Sequence, residues 1–174
     1  SPWNDQGLWA TMSAPQSAVV DLGVACQQLG DQADVYDTAC GFLLLSTADW
    51  TDTRYARLHA SLTRNPRPVL DGNPDIVAPR EDGISLEPGY YAYRLAHDLN
   101  LELGLFGKPF ANIFDLAFAR LPDVDPSRVV MVGDTLHTDV LGGAAFGVQT
   151  VLVTDHGLFA GCDFEAFIAE TGIM

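Results

Sequence analysis

Apolar and polar positions along this chain fall into two rhythms. One has helical spacing. Residues 51–64, TDTRYARLHASLTR, open on Thr and Asp and place Tyr55, Leu58 and Leu62 on one face. Pro88 and Gly89 lead into YYAYRLAHDL, a helix with proline in its first turn. FANIFDLAFARL sets Ile113, Phe114, Ala117, Phe118 and Leu121 on one stripe, which predicts a third helix. Residues 18–30, AVVDLGVACQQLG, space Val19, Leu22, Cys26 and Leu29 by 3, 4 and 3 before Gly30, which predicts a fourth. TDVLGGAAFG predicts a fifth, opened by Thr138 or Asp139. The other rhythm is a short apolar run bounded by turn residues, as a buried strand requires. GFLLLST at 41–47, RPVLDGNPD at 67–75 (a brief strand running into turn residues), LNLELGLFG with alternating Leu101, Leu103 and Leu105, the 128–132 part of DPSRVVMVGD, and VQTVLVTDHG all read this way. Residues 1–17 carry two tryptophans and no clean period, which predicts a packed irregular segment. Strands and helices alternate through the second half with short loops, so the expected class is α/β: a parallel sheet covered by helices on both faces.

Composition narrows the partners. The 174 residues hold 9 basic and 23 acidic side chains, a formal net charge of −14, and the hydrophobic fraction is 48%. Such a chain can build a core, and its charge argues against nucleic acid and against anionic membrane surfaces. Cys26, Cys40 and Cys162 are widely spaced and form no CxxC pair, so neither a zinc site nor a disulfide framework is indicated. Thiols of this kind suit a reducing cytoplasm. No signal peptide and no run of membrane-spanning length is visible, and the expected location is cytoplasmic.

The candidate chemistry sits where apolar runs end. Asp134 follows Gly133 at the exit of the run Val129–Val132, and Asp139 lies five residues further on. In open parallel sheets ligands gather beyond the carboxyl ends of the strands. Two carboxylates there offer hard oxygen donors to a divalent cation, although Asp139 can equally serve as a helix cap. Lys108 follows the run Leu103–Leu105 between Gly107 and Pro109. If both strands are parallel, its ammonium faces the same edge as Asp134 and can neutralise a phosphate or a carboxylate.

These residues carry a resemblance. GLFGKPFANIFDLAFARL followed by VVMVGDTLHTDVLGGAAFGVQTVLVTDHG resembles the carboxyl-terminal half of a haloacid-dehalogenase-superfamily phosphatase, and in particular the NagD-like subfamily with a large α/β cap. Gly107-Lys108-Pro109 is similar to that family's third motif, Gly133-Asp134 through Asp139 to its fourth, and Gly72-Asn73-Pro74-Asp75 to an Asn-Pro-Asp segment of the cap. The match spans about residues 67–157. The resemblance implies a Rossmann-like core plus an α/β cap, with residues 1–100 mostly cap and 101–174 the second half of the core. It further implies Mg²⁺-dependent hydrolysis of a small phosphorylated metabolite through an aspartyl-phosphate, and dimerisation through the cap as the mode of assembly. By the same resemblance Lys108 and Asp134 are catalytic, Asp134 and Asp139 hold or surround Mg²⁺, and Asn73, Asp75 and Thr135 contact substrate.

The chain departs from the family in one respect. The first motif, an apolar strand ending in Asp-x-Asp-Gly and bearing the nucleophile, has no counterpart in residues 1–66. Asp71-Gly72 has Leu70 in place of the first Asp and directly precedes the Asn-Pro-Asp of the cap, in the wrong order. For the second motif, Ser13 and Thr47 are the available hydroxyls, and Thr47 reads better as part of a cap strand. The expectation is an incomplete portion of a phosphatase that is inactive by itself. Two alternatives stay open: a catalytically inactive relative that binds a small ligand or partner, and a flavodoxin-like binding module. Arg80, Glu81 and Tyr90 are further cap residues that could meet a substrate.

Overall fold

A computed structural model describes residues 7–14, 23–121 and 123–173. The chain divides into two compact units, one of residues 1–77 and 86–105, the other of 78–85 and 106–174.

The first unit is built on five parallel strands in the order β2-β1-β3-β4-β7. These are β1 (Trp9–Met12), β2 (Cys26–Gln28), β3 (Gly41–Leu44), β4 (Val69–Asp71) and β7 (Leu103–Leu105). The helices are α1 (Asp34–Thr38), α2 (Asp52–Arg64) and α3 (Pro88–Leu99). Phe42 and Leu44 of β3, Val69 of β4, Leu58 and Leu62 of α2, and Ala92 and Leu95 of α3 are all nearly solvent-free in one core. Helix α2 starts at Thr51, whose hydroxyl accepts the Arg54 N–H, and α3 starts with Pro88 at its first position.

Two expectations fail here. Trp9–Met12 is not irregular: every residue is buried, and the strand lies inside the sheet between β2 and β3. A strand buried on both faces has no alternation to read, and four residues are too few to show a run. The helix expected at 18–30 is also wrong where it can be checked. Cys26–Gln28 is an edge strand paired with β1, and the Gln28 side-chain amide donates to the Ser13 carbonyl at 2.7 Å. Residues 18–22 lie outside the described residues, as do 1–6 and 15–17 of the amino-terminal segment. Of the residues that carried the 3–4–3 spacing, Val19 and Leu22 lie outside the described residues, Cys26 is in the edge strand and Leu29 enters the core.

A two-stranded ribbon, β5 (Val77–Arg80) with β6 (Gly83–Leu86), follows β4 and was not anticipated. The second unit pairs β8 (Val130–Gly133) with β9 (Gln149–Leu152) in parallel and adds α4 (Ala111–Phe118), α5 (Leu141–Phe146) and α6 (Phe164–Thr171). Leu136, Val140 and Phe159 form its buried centre, with Leu152, Leu158, Phe164 and Ile168 against them. Val129 and Gly133 turn their carbonyls to β9, so by strand alternation the N–H and C=O groups of Val130 and Val132 point to the other edge. Val130, Val132 and Val151 expose about half of their surface (46%, 59% and 49%). The three cysteines form no disulfide; Cys26 and Cys40 are partly buried and Cys162 is exposed. Among the described residues no helix is long and apolar enough to cross a membrane.

Candidate functional site

The turn that leaves β8 is organised around its two aspartates. Gly133 ends the strand, and a Cβ there would lie 2.1 Å from the Asp139 carboxyl carbon, so the backbone approach requires glycine. Residues Leu136–Val140 then form a turn of π-helix that continues into α5. The helix does not open at Thr138 or Asp139 as expected. Asp139 lies inside it, with its amide bonded to the Thr135 carbonyl at 3.0 Å. A helical register shifted by a π-turn points the Asp139 side chain back at the strand end rather than out to solvent.

Asp139 is therefore no cap. Its side chain is 4% exposed; Oδ1 accepts from Lys108 Nζ at 2.5 Å and Oδ2 from the Thr135 N–H at 3.2 Å. Lys108 leaves the segment after β7, where the Phe110 N–H donates to the Gly107 carbonyl and the Gly107 N–H donates to the Asn112 side-chain oxygen. The buried carboxylate fixes the ammonium, and the ammonium compensates the buried carboxylate. Asp134 is half-buried and bonded differently. Its Oδ1 accepts from the Thr135 hydroxyl at 3.3 Å and its Oδ2 from the Leu158 N–H at 3.2 Å. Gly157, at φ +76°, passes so close that a Cβ there would overlap Asp134 Oδ2. Leu158 and Gly157 were not foreseen, because a backbone amide and a close approach leave no side-chain signal in a sequence.

Lys108, Asp134, Thr135 and Asp139 thus belong to the second unit and form one connected cluster. The expectation that Lys108 and Asp134 leave one parallel sheet is corrected: β7 pairs with β4 in the five-stranded sheet, whereas β8 pairs with β9. For a divalent cation the donors are unequal. Each oxygen of either aspartate accepts one hydrogen bond, but Asp139 is buried and already paired with the Lys108 ammonium, whereas Asp134 is half-buried and its donors, the Thr135 hydroxyl and the Leu158 N–H, are neutral. Among the described residues no group of three or more His, Cys, Asp and Glu gathers as a metal site. The residues fit a magnesium ion that takes one protein carboxylate here and completes its shell with water and phosphate.

Asn73 and Asp75 belong to the first unit, in the turn after β4. Asp71 precedes that turn as the last residue of the strand and is fully buried. Its Oδ1 accepts the Asn73 N–H at 3.0 Å, and its Oδ2 is buried without a hydrogen-bond partner. Burial foremost, with some repulsion from Asp75, pushes its carboxyl up to about 6, against a smaller lowering by the Asn73 bond. The Asn73 side-chain amide donates to Glu87 Oε2 at 3.4 Å, and the Gly89 N–H donates to the carbonyls of Asn73 and Asp75 at 3.2 and 3.1 Å.

Residues 105–170 match a family model described as HAD-hydrolase-like. A glycerol-3-phosphate phosphatase from Gallus gallus is 36% identical over 103 residues, covering 56% of this chain and 33% of that protein. The 5'-nucleotidase YutF of Bacillus subtilis is 32% identical over 90 residues, covering 52% and 35%. The solved structure of a possible sugar phosphatase of the HAD superfamily from Cytophaga hutchinsonii superposes with a TM-score of 0.79 at 26% identity, covering 98% of this chain and 62% of that one. A p-nitrophenyl phosphatase from Archaeoglobus fulgidus shares the fold, with a TM-score of 0.72 at 23% identity. The chain spans about a third of those two curated relatives and 62% of each of the two solved structures.

Proposed function

We propose that the chain belongs to the haloacid-dehalogenase-like hydrolases, whose family model residues 105–170 match, and that it is part of a Mg²⁺-dependent phosphatase acting on a small phosphorylated metabolite in the cytoplasm. The observation that carries this reading is the Lys108–Asp139 ion pair beside Asp134 on the turn leaving β8. Phosphoryl transfer is catalysed mainly by positioning and by neutralising charge on the transferred group. In this reading Lys108 places its ammonium against the phosphate, and Asp139 fixes its direction. Asp134 holds Mg²⁺, which when bound supplies further charge neutralisation. Thr135 orients Asp134 and offers a hydroxyl to substrate. The first unit acts as the cap, with Asn73 and Asp75 facing substrate, and the second as half of the catalytic core.

No residue is assigned as the nucleophile. Asp139 is committed to Lys108, and Asp71 is sealed in the first unit. Residues 1–174 alone should therefore show no enzymatic turnover of an aryl phosphate, with or without Mg²⁺. The two-step route needs a positioned carboxylate. Robust turnover abolished by EDTA would overturn the assignment of the missing nucleophile. The metal site is tested apart from activity. Mg²⁺ should raise the melting temperature of the 174-residue chain by mass action, and Asp134→Asn should remove most of that rise. Equal shifts in both proteins would exclude Asp134 as the ligand.

A further inference from the structure

Asp71 is an expensive residue in its place. The last residue of β4 is 0% exposed, and no cation is among the groups that act on it among the described residues. A buried carboxyl oxygen with no partner destabilises the fold, and an asparagine or serine would accept the same N–H at lower cost. Buried polar groups left unsatisfied in folded proteins call for an explanation in function or solvent. The one bond Asp71 makes points to the explanation, since it ends on Asn73.

The turn after β4 is held from two sides. On one side the Asn73 amide lies on Asp71 Oδ1, and the Gly72 N–H donates to the Leu44 carbonyl of β3 at 2.9 Å. On the other, the start of α3 grips the backbone: the Gly89 N–H reaches the Asn73 and Asp75 carbonyls, and a Cβ on Gly89 would lie 2.2 Å from the Pro74 carbonyl oxygen. Glu87 just before α3 takes the Asn73 side-chain amide. The α3 grip fixes carbonyls, so the orientation of the Asn73 peptide depends on the N–H that Asp71 receives.

We propose that Asp71 is a positioning residue: its carboxyl holds the turn from Gly72 to Asp75 in the conformation that offers Asn73 and Asp75 to substrate. This rests on the reading of those two residues given above. The titratable groups about this turn are Asp75, which acts on Asp71 directly, Glu87, which accepts from the Asn73 side-chain amide, and the Tyr93 hydroxyl from α3, which burial and then Asp71 push upward. All are anionic or neutral, so ionisation of Asp71 is met by the Asn73 N–H, whose bond strengthens when its acceptor is charged. The turn is held loosely in acid and firmly above the titration of this carboxyl.

Nuclear magnetic resonance of the 174-residue chain between pH 4 and 8 tests this. The Asn73 amide should be protected from exchange, and its shift should move with the Asp71 carboxyl carbon, with a midpoint near 6. In Asp71→Asn the amide should stay protected, rescued by the amide oxygen, while its pH step vanishes. In Asp71→Ala its protection should fall about tenfold or more while the amides of Val69 and Leu70 exchange as before, which separates a released turn from a lost fold. An Asn73 amide still protected in Asp71→Ala, or a pH step that persists in Asp71→Asn, overturns the proposal. Should the alanine variant not fold, the pH step in the wild type and in Asp71→Asn decides. Neither readout needs hydrolysis. A failure of the phosphatase reading with these results intact removes the substrate and leaves Asp71's hold on the turn standing.

Discussion

Single residues set the pH behaviour of this protein. Asp71 prefers its proton in the fold, at about 6 against an ordinary 3.8. The unfolded chain gives that proton up first. Between these values the native state binds more protons than the unfolded one, so stability falls as pH rises from about 4 and the loss is complete above about 6. The difference corresponds to about 3 kcal/mol for a group this buried. Asp71→Asn should melt higher than the wild type at pH 7.5 and at the same temperature near pH 3.5; a gain that persists undiminished in acid would point to a cause other than the charge. This residue was not legible in the sequence, because Asp followed by Gly after an apolar run reads as the start of a turn. Lys108 and Asp134 were legible as strand-end residues flanked by glycine. Asp139 was half legible: its position was plain, but its partner depends on a π-turn that no spacing rule encodes.

At the scale of elements, what could be read was what carried a period or a cap. Helix α2 was visible from Thr51 and the stripe Tyr55, Leu58 and Leu62, and its hydroxyl cap is present. Thr51→Ala should cost about 1 kcal/mol, read as a lower urea midpoint with unchanged slope. No loss of stability would mean that the 3.3 Å bond to Arg54 is carried equally well by water. Strands β1 and β2 were missed for opposite reasons. The first is buried throughout and so has no alternation, and the second is a half-polar edge held by β1 and the Gln28–Ser13 bond. Helix α6 and the β5–β6 ribbon were missed because they are short and none of their residues is fully buried. Strands β1 and β2 owe their place to pairing between segments distant in sequence.

For the molecule as a whole, the α/β class followed from alternating strands and helices, but membership of two different sheets did not. Local rhythm names a strand without naming its neighbours, which is why β7 and β8 were expected in one parallel sheet. Among the described residues no strand pairs with the second edge of β8, and this has a colloidal consequence. Strand edges in native proteins are commonly blunted by charge, proline or a bulge, and Val130-Met131-Val132 carries no charge and no proline. What stands in the way of edge-to-edge association is long-range repulsion from a net charge of −14. That barrier shrinks with the screening length, from roughly 30 Å at 0.01 M salt to about 3 Å at 1 M. The chain should therefore disperse in dilute buffer and cluster as salt is added, the reverse of an assembly held by ion pairs. Light scattering across that range should rise for the wild type and stay flat for Val132→Lys, which places a charge on the adhesive strand; clustering that ignores either salt or the lysine would assign the stickiness to another surface.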